Sequence, residues 1–253
     1  MTRNEPVIEV VADATALVAL GVERVTEKLA AAISVRGRAR VALAGGSTPR
    51  ALYRRLASDS RPRVDWRRVV VFWGDERAVP PDHPDSNFGA ARASGLLERV
   101  PARQVHRWAT ERAPEEAAKL YEEELAHEFA TGPGALPSFD LILLGIGADG
   151  HTASLFSGTP ALAERTRRAV ANPVPALGAV RLTLTLPVLE AARAVVFLAA
   201  GSEKAEAVAR AFGGWAADVP AGRVRPSAGT LDVLLDAEAA ALLPPLPAGD
   251  TRG

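Results

Sequence analysis

Strand-length apolar runs recur along the whole chain: Val7–Val11, Arg40–Ala44, Val69–Trp73, Phe139–Gly145, Arg181–Leu186, Ala194–Ala199 and Thr230–Leu235. Several, Ala194–Ala199 above all, show no alternation of apolar and polar residues, so both faces of such a strand need cover. Segments of helical period lie between them: Ala14–Ser34 with Asp13 as its cap, Pro49–Ala57, a helix from Asn87 to about Arg99, Pro114–Phe129, Glu203–Phe212 and Ala237–Leu243. Gln104–Trp108 is a further short strand. Unbroken apolar strands joined through helices predict an α/β fold, a mainly parallel sheet with helices on both faces. Such a sheet binds ligands at the carboxyl ends of its strands, in the loops that lead into helices. The polar motifs of this chain fall in those loops.

Composition narrows the function classes. With 253 residues the chain is long enough to bury a sizeable core, and it reads as one domain over 1–243 with a Pro- and Gly-rich tail, 244–253, that frays. The formal net charge is zero, which gives no electrostatic footprint for nucleic acid or an anionic membrane. No cysteine is present, so disulfides and thiolate chemistry are excluded. Met1–Val11 lacks the basic start and long apolar core of a signal peptide, and no apolar run is long enough to span a bilayer; the expected location is the cytoplasm. The sequence is silent on oligomeric state.

Four motifs carry chemistry. Gly45-Gly46-Ser47-Thr48-Pro49-Arg50 stands between a strand and a helix, where backbone N–H groups, two hydroxyls and a helix N-terminus can face an anion. Thr48 reads as the N-cap and Pro49 as the first helical residue. The turn lacks the lysine pattern of a nucleotide P-loop, so a single sugar phosphate fits it better than a triphosphate. An ordinary capped turn accounts for it equally well.

Gly145-Ile146-Gly147-Ala148-Asp149-Gly150-His151 matches Gly-x-Gly-x-x-Gly, but Gly158 and Pro160 interrupt the helix behind it, and Ala169–Pro173 supplies no acid for a ribose. A dinucleotide cofactor is therefore not expected. What remains is a loop presenting Asp149 and His151, a carboxylate and an imidazole suited to proton transfer near neutral pH. Gly74–Pro80 and Asp82–Asn87 add four carboxylates and His83, yet their spacing is irregular for metal ligands, and Arg77 reads as a clamp for an oxyanion. Neither a metal nor any other cofactor is expected. Lys204, one of only three lysines, opens a helix whose dipole it opposes, which makes sense if an anion sits nearby. Phe72, Trp73, Phe88, Phe139 and Phe156 read as core.

The ordered set Ala44–Pro49, Gly74–Pro80 with Asp85-Ser86-Asn87, Gly147–Phe156, Arg181-Leu182-Thr183-Leu184-Thr185 and Gly201-Ser202-Glu203-Lys204 resembles the 6-phosphogluconolactonase family. The resemblance runs from about Val7 to Leu243, and the Asp-Gly-His-Thr-Ala-Ser-Leu-Phe run is its most specific part. Ser157 departs from the proline usual there. The resemblance implies a modified Rossmann-like sheet without nucleotide, shared with glucosamine-6-phosphate deaminases and ribose-5-phosphate isomerases. It implies hydrolysis of 6-phosphoglucono-δ-lactone in the oxidative pentose phosphate pathway, with no obligatory metal. His151 would be the catalytic base beside Asp149, and Arg77 would stabilise the carbonyl oxygen. Gly45, Gly46, Ser47 and Thr48, with Lys204 and either Arg181 or Arg50, would hold the phosphate, and Asp75 and Asn87 would line the substrate site. Two rivals differ in visible ways. Related deaminases follow Asp-Gly-His with an acidic segment, where this chain has Ser154-Leu155-Phe156, and sugar-phosphate sensors carry a DNA-binding helix pair for which this chain has no room.

Overall fold

The computed structural model describes residues 5–59, 63–132, 134–214 and 218–245. The elements in chain order are β1 (Val7–Val11), α1 (Ala14–Arg36), β2 (Ala39–Leu43), α2 (Ser47–Ala57), β3 (Val69–Trp73), β4 (Asp75–Arg77), α3 (Asn87–Ala93), α4 (Pro114–Glu128) and β5 (Leu141–Leu144). They continue with α5 (Pro160–Ala163), β6 (Ala169–Val174), β7 (Ala179–Leu184), α6 (Leu186–Glu190), β8 (Ala194–Ala199), α7 (Ala205–Phe212), α8 (Pro220–Arg223) and β9 (Thr230–Asp236). Six strands form one sheet in the order β1-β9-β8-β5-β2-β3, and every pairing in it is parallel. The α/β expectation holds, and helices flank this sheet. β3, β5 and β8 are buried at every position, as their unbroken apolar sequences require. Asp13 caps α1 by accepting from the Ala16 N–H at 2.8 Å. Leu17, Gly21, Val25, Leu29 and Ala32 recur at helical spacing on the buried face of α1, against β2 and β9. A fully buried leucine of this kind contributes about 1.5–3 kcal/mol.

A second sheet was not legible in the sequence. β4, β7 and β6 form a three-stranded antiparallel sheet. The segment after Trp73, expected to be loop as far as Asn87, instead begins with β4. Its carboxylates look like loop residues, but Asp75 and Glu76 are buried and hydrogen-bonded. The chain changes sheets at Gly74, whose N–H donates to Leu43 O at 2.9 Å in the parallel sheet, while its carbonyl accepts from Leu184 N–H at 2.8 Å in the other. Arg181 does not open its strand but stands third in β7, and Leu186 already belongs to α6.

Other boundaries shift for local reasons. The helix from Asn87 stops at Ala93, because Gly95 turns left-handed (φ 81°) and a 3₁₀ turn over Leu96–Arg99 follows. Gln104–Trp108 is not a strand: only Val105 bridges to Val71, after a 3₁₀ turn. Glu203 and Lys204 lie in a 3₁₀ turn, Ser202–Lys204, ahead of α7. Ala237–Leu243 forms turns rather than a helix, with the Asp236 carboxylate accepting from Ala239 N–H and tying the first turn to β9. Residues 246–253, most of the expected frayed tail, lie outside the described residues. Among the described residues no helix is long and apolar enough to cross a membrane.

Candidate active site

β8, β5, β2 and β3 are consecutive neighbours and run parallel, so their carboxyl ends share one edge of the sheet. The segments leaving that edge are Gly201–Lys204, Gly145–His151, Gly45–Thr48 and Gly74–Arg77. At about 4.8 Å per strand, the first and third are roughly 10 Å apart at their roots. Two buried tyrosines fix the ends of β2 and β3. Tyr53 Oη accepts from Ala44 N–H at 2.9 Å and donates to Ala44 O at 2.8 Å. Tyr121 Oη does the same for Trp73, accepting at 2.8 Å and donating at 2.9 Å. Burial pushes both phenols up, which keeps them neutral donors.

His151 sits on a tight turn at the end of β5. Gly150 N–H donates to Gly147 O, and Gly147 N–H to His151 O, both at 2.9 Å. A Cβ on residue 147 would stand 2.1 Å from His151 Nδ1, so only glycine lets the imidazole fold over the backbone. Nδ1 lies 2.5 Å from Asp149 Oδ1, and the same oxygen accepts from the His151 backbone N–H at 3.2 Å. Partial burial pushes the Asp149 carboxyl up, but the hydrogen bond and charge of His151 outweigh it and hold the carboxyl below its usual range. An ionised carboxylate is acceptor-only, so the proton of neutral His151 resides on Nδ1 and Nε2 carries the lone pair. Phe156, expected simply in the core, stacks on the imidazole with centroids 4.2 Å apart.

The turn beyond His151 is pinned to β4. Thr152 Oγ1 donates to Gly145 O at 2.8 Å, and Ser154 Oγ to Asp75 Oδ2 at 2.7 Å. Asn172 Nδ2 donates to Ser154 O at 2.9 Å. Asp75 Oδ1 also accepts from Asn87 Nδ2 at 3.2 Å. Glu76, which sequence reasoning passed over, is 2 % exposed, and its carboxylate accepts from the N–H groups of Arg77, Asn87 and Phe88 at 2.7–2.8 Å and from Ser86 Oγ at 3.2 Å. It therefore caps α3 from another strand. Burial pushes its carboxyl up. Ser86-Asn87 ahead of an apolar helix was a visible capping signal; the carboxylate reaching in from β4 was not.

Arg77 and Arg181 occupy paired positions across β4 and β7. Arg77 Nη1 donates to Asp85 O at 2.5 Å, which aims its guanidinium, while Arg181 makes no ion pair among the described residues. Burial, then the charge of Arg77, lowers the pKa of Arg181.

At the Gly45 turn the cap is Gly46 (φ 106°), not Thr48, and α2 begins at Ser47. Thr48 is thus inside the first turn and Pro49 is third, where a missing N–H still costs nothing. No side chain caps this end. Gly45 is held against Asn87: a Cβ there would stand 2.0 Å from Asn87 Oδ1. Lys204 Nζ lies 3.9 Å from Glu203 Oε1, so a neighbouring carboxylate already answers part of its charge. Arg50 lines a cavity between α2 and α3 with Arg54 and Arg92. No cluster of metal-ligating side chains occurs among the described residues; His83 Nδ1 accepts from Asp85 N–H at 3.1 Å.

A family model described as glucosamine-6-phosphate isomerases/6-phosphogluconolactonase matches residues 12–233. A 6-phosphogluconolactonase of Nostoc sp. is 43 % identical over 241 residues, covering 93 % of this chain and 98 % of the relative. One of Mycobacterium tuberculosis is 42 % identical over 248 residues, with 94 % and 98 % covered. The solved 6-phosphogluconolactonase of Trypanosoma brucei superposes with a TM-score of 0.85 at 33 % identity, over 95 % of this chain and 99 % of that one. The chain belongs to the glucosamine-6-phosphate isomerase/6-phosphogluconolactonase family.

Proposed function

We propose that the protein hydrolyses 6-phosphoglucono-δ-lactone to 6-phosphogluconate, in the cytoplasm, as a step of the oxidative pentose phosphate pathway. Relatives of that name covering nearly the whole chain support the substrate. The observation that carries the mechanism is the 2.5 Å contact of His151 Nδ1 with Asp149, which leaves Nε2 as a base at the sheet edge. Nε2 takes a proton from water as its oxygen attacks the lactone carbonyl carbon. Negative charge moves onto the carbonyl oxygen, which Arg77 stabilises. The tetrahedral intermediate then expels the ring oxygen, which takes the proton back from Nε2, and the new carboxylic acid ionises to release one proton. Asp149 holds the ring and balances its transient positive charge.

The open N-terminus of α2 at Gly45, Gly46, Ser47 and Thr48, with Arg181 and Lys204, holds the phosphate and places the carbonyl over His151. Asp75 and Asn87 form the wall between them. Arg50 is left out of this set, since it faces the separate cavity. The segment after His151 favours hydrolysis over deamination: its Ser154 is buried against Asp75, and no carboxylate stands in Thr152–Phe156. A lactone is already electrophilic, so a base and an oxyanion partner suffice. The test is proton release from freshly made lactone, measured against its spontaneous hydrolysis, after exhaustive EDTA treatment. Full activity is expected; loss on chelation with recovery on adding zinc contradicts the mechanism.

A further inference from the structure

Many guanidinium groups of this protein sit on carboxylates, as Arg24 does on Glu9, Arg40 on Glu128 and Arg167 on Glu122. Arg50, Arg54 and Arg92 do not: none makes an ion pair among the described residues, yet all three line one cavity of about 300 Å³. Arg50 and Arg54 are four residues apart on α2, where like charges repel, and Arg92 joins them from α3. Arg50 Nε is buried without a hydrogen-bond partner, while Arg54 and Arg92 are exposed. Asp82, His83 and Ser94 complete the polar wall, and Asp82 is its one acid.

None of Arg77, His151, Arg181, Lys204 and the Gly45–Thr48 turn lines this cavity. With three guanidinium groups against one carboxylate, an excess of two positive charges faces a volume suited to a small ligand. Guanidinium forks match tetrahedral oxyanions in geometry. We propose that the cavity between α2 and α3 is a second anion site, which takes a phosphate dianion, free or as a small phosphomonoester, separately from the lactone's own phosphate.

The site borders the catalytic machinery without sharing residues with it. Arg50 follows the Gly45–Thr48 turn on the same helix, and Asp82 and His83 belong to the segment whose Asp85 carbonyl aims Arg77. The inference does not depend on which reaction the protein performs.

Calorimetric titration of the whole chain with inorganic phosphate tests it, comparing wild type, the Arg54→Ala/Arg92→Ala variant and the Arg181→Ala/Lys204→Ala variant. Two sites are expected in wild type. Arg54→Ala/Arg92→Ala should weaken one of them at least about tenfold while keeping lactonase kcat/KM within about twofold. The other variant should retain that site. Tighter binding of glycerol 3-phosphate there identifies a phosphomonoester ligand, and equal binding identifies free phosphate. A single site in wild type that disappears in Arg181→Ala/Lys204→Ala, or two sites unchanged in Arg54→Ala/Arg92→Ala, overturns the proposal.

Discussion

Arg77 and Arg181 stand directly opposite each other across the antiparallel β4–β7 ladder, with Arg181 half-buried and without an ion pair among the described residues. Like charges at paired strand positions repel, and a bound anion would offset that repulsion. Arg181→Ala is expected to weaken binding of 6-phosphogluconate by about 1.5–3 kcal/mol, the range of a charge-assisted hydrogen bond. The same change should leave Tm unchanged or raise it, because it removes the repulsion. Calorimetry and thermal melts check both halves; unchanged affinity with a lowered Tm means that Arg181 is structural.

Glu76 makes the opposite kind of prediction, one about stability and pH. Its pKa in the folded protein lies above the usual 4.5 because burial penalises the charged form. Its stabilising contribution is therefore fully present below 4.5 and is lost as pH rises through the raised folded value. Glu76→Gln removes that titration and also replaces an oxygen acceptor with an amide donor facing backbone N–H groups, at a cost of about 1–3 kcal/mol. Denaturant melts across the acid range should show wild type losing more stability on the way to neutral pH than the variant does. Parallel pH profiles would show that Glu76 does not titrate in this way.

Gly45 and Asn87 form a steric pair. Ala at position 45 would put its Cβ 2.0 Å from Asn87 Oδ1, so the amide must leave Asp75. Gly45→Ala is expected to destabilise the protein by about 1–3 kcal/mol, and Gly45→Ala/Asn87→Ala to recover part of that loss. Strictly additive losses in the two single variants would separate the residues.

What the sequence disclosed about this fold and site follows the range of the interactions. Asp149 and His151 are two residues apart on a glycine turn, and their pairing needed no tertiary knowledge. Strands β3, β5 and β8 were legible because burial on both faces leaves an unbroken apolar signature. β4 was not, since a three-residue strand of Asp, Glu and Arg looks like loop until β7 is beside it. The Ser154–Asp75 hydrogen bond joins residues 79 apart in sequence, and Glu76 caps a helix that begins 11 residues later, so neither leaves a local pattern. Thr48 was a reasonable cap by composition, but Gly46, whose positive φ of 106° suits glycine, takes the position two residues earlier.

In the proposed mechanism His151 Nε2, with Nδ1 committed to Asp149, activates the water that opens the lactone. The most direct test is kcat of His151→Ala on freshly made 6-phosphoglucono-δ-lactone, corrected for spontaneous hydrolysis and accompanied by a thermal melt. The side chain is partly exposed at the end of β5, so Tm should hardly move, while kcat should fall about 10²–10⁴-fold, the usual contribution of a positioned acid–base group. A folded variant with near-normal kcat would contradict the assignment of His151 as the base.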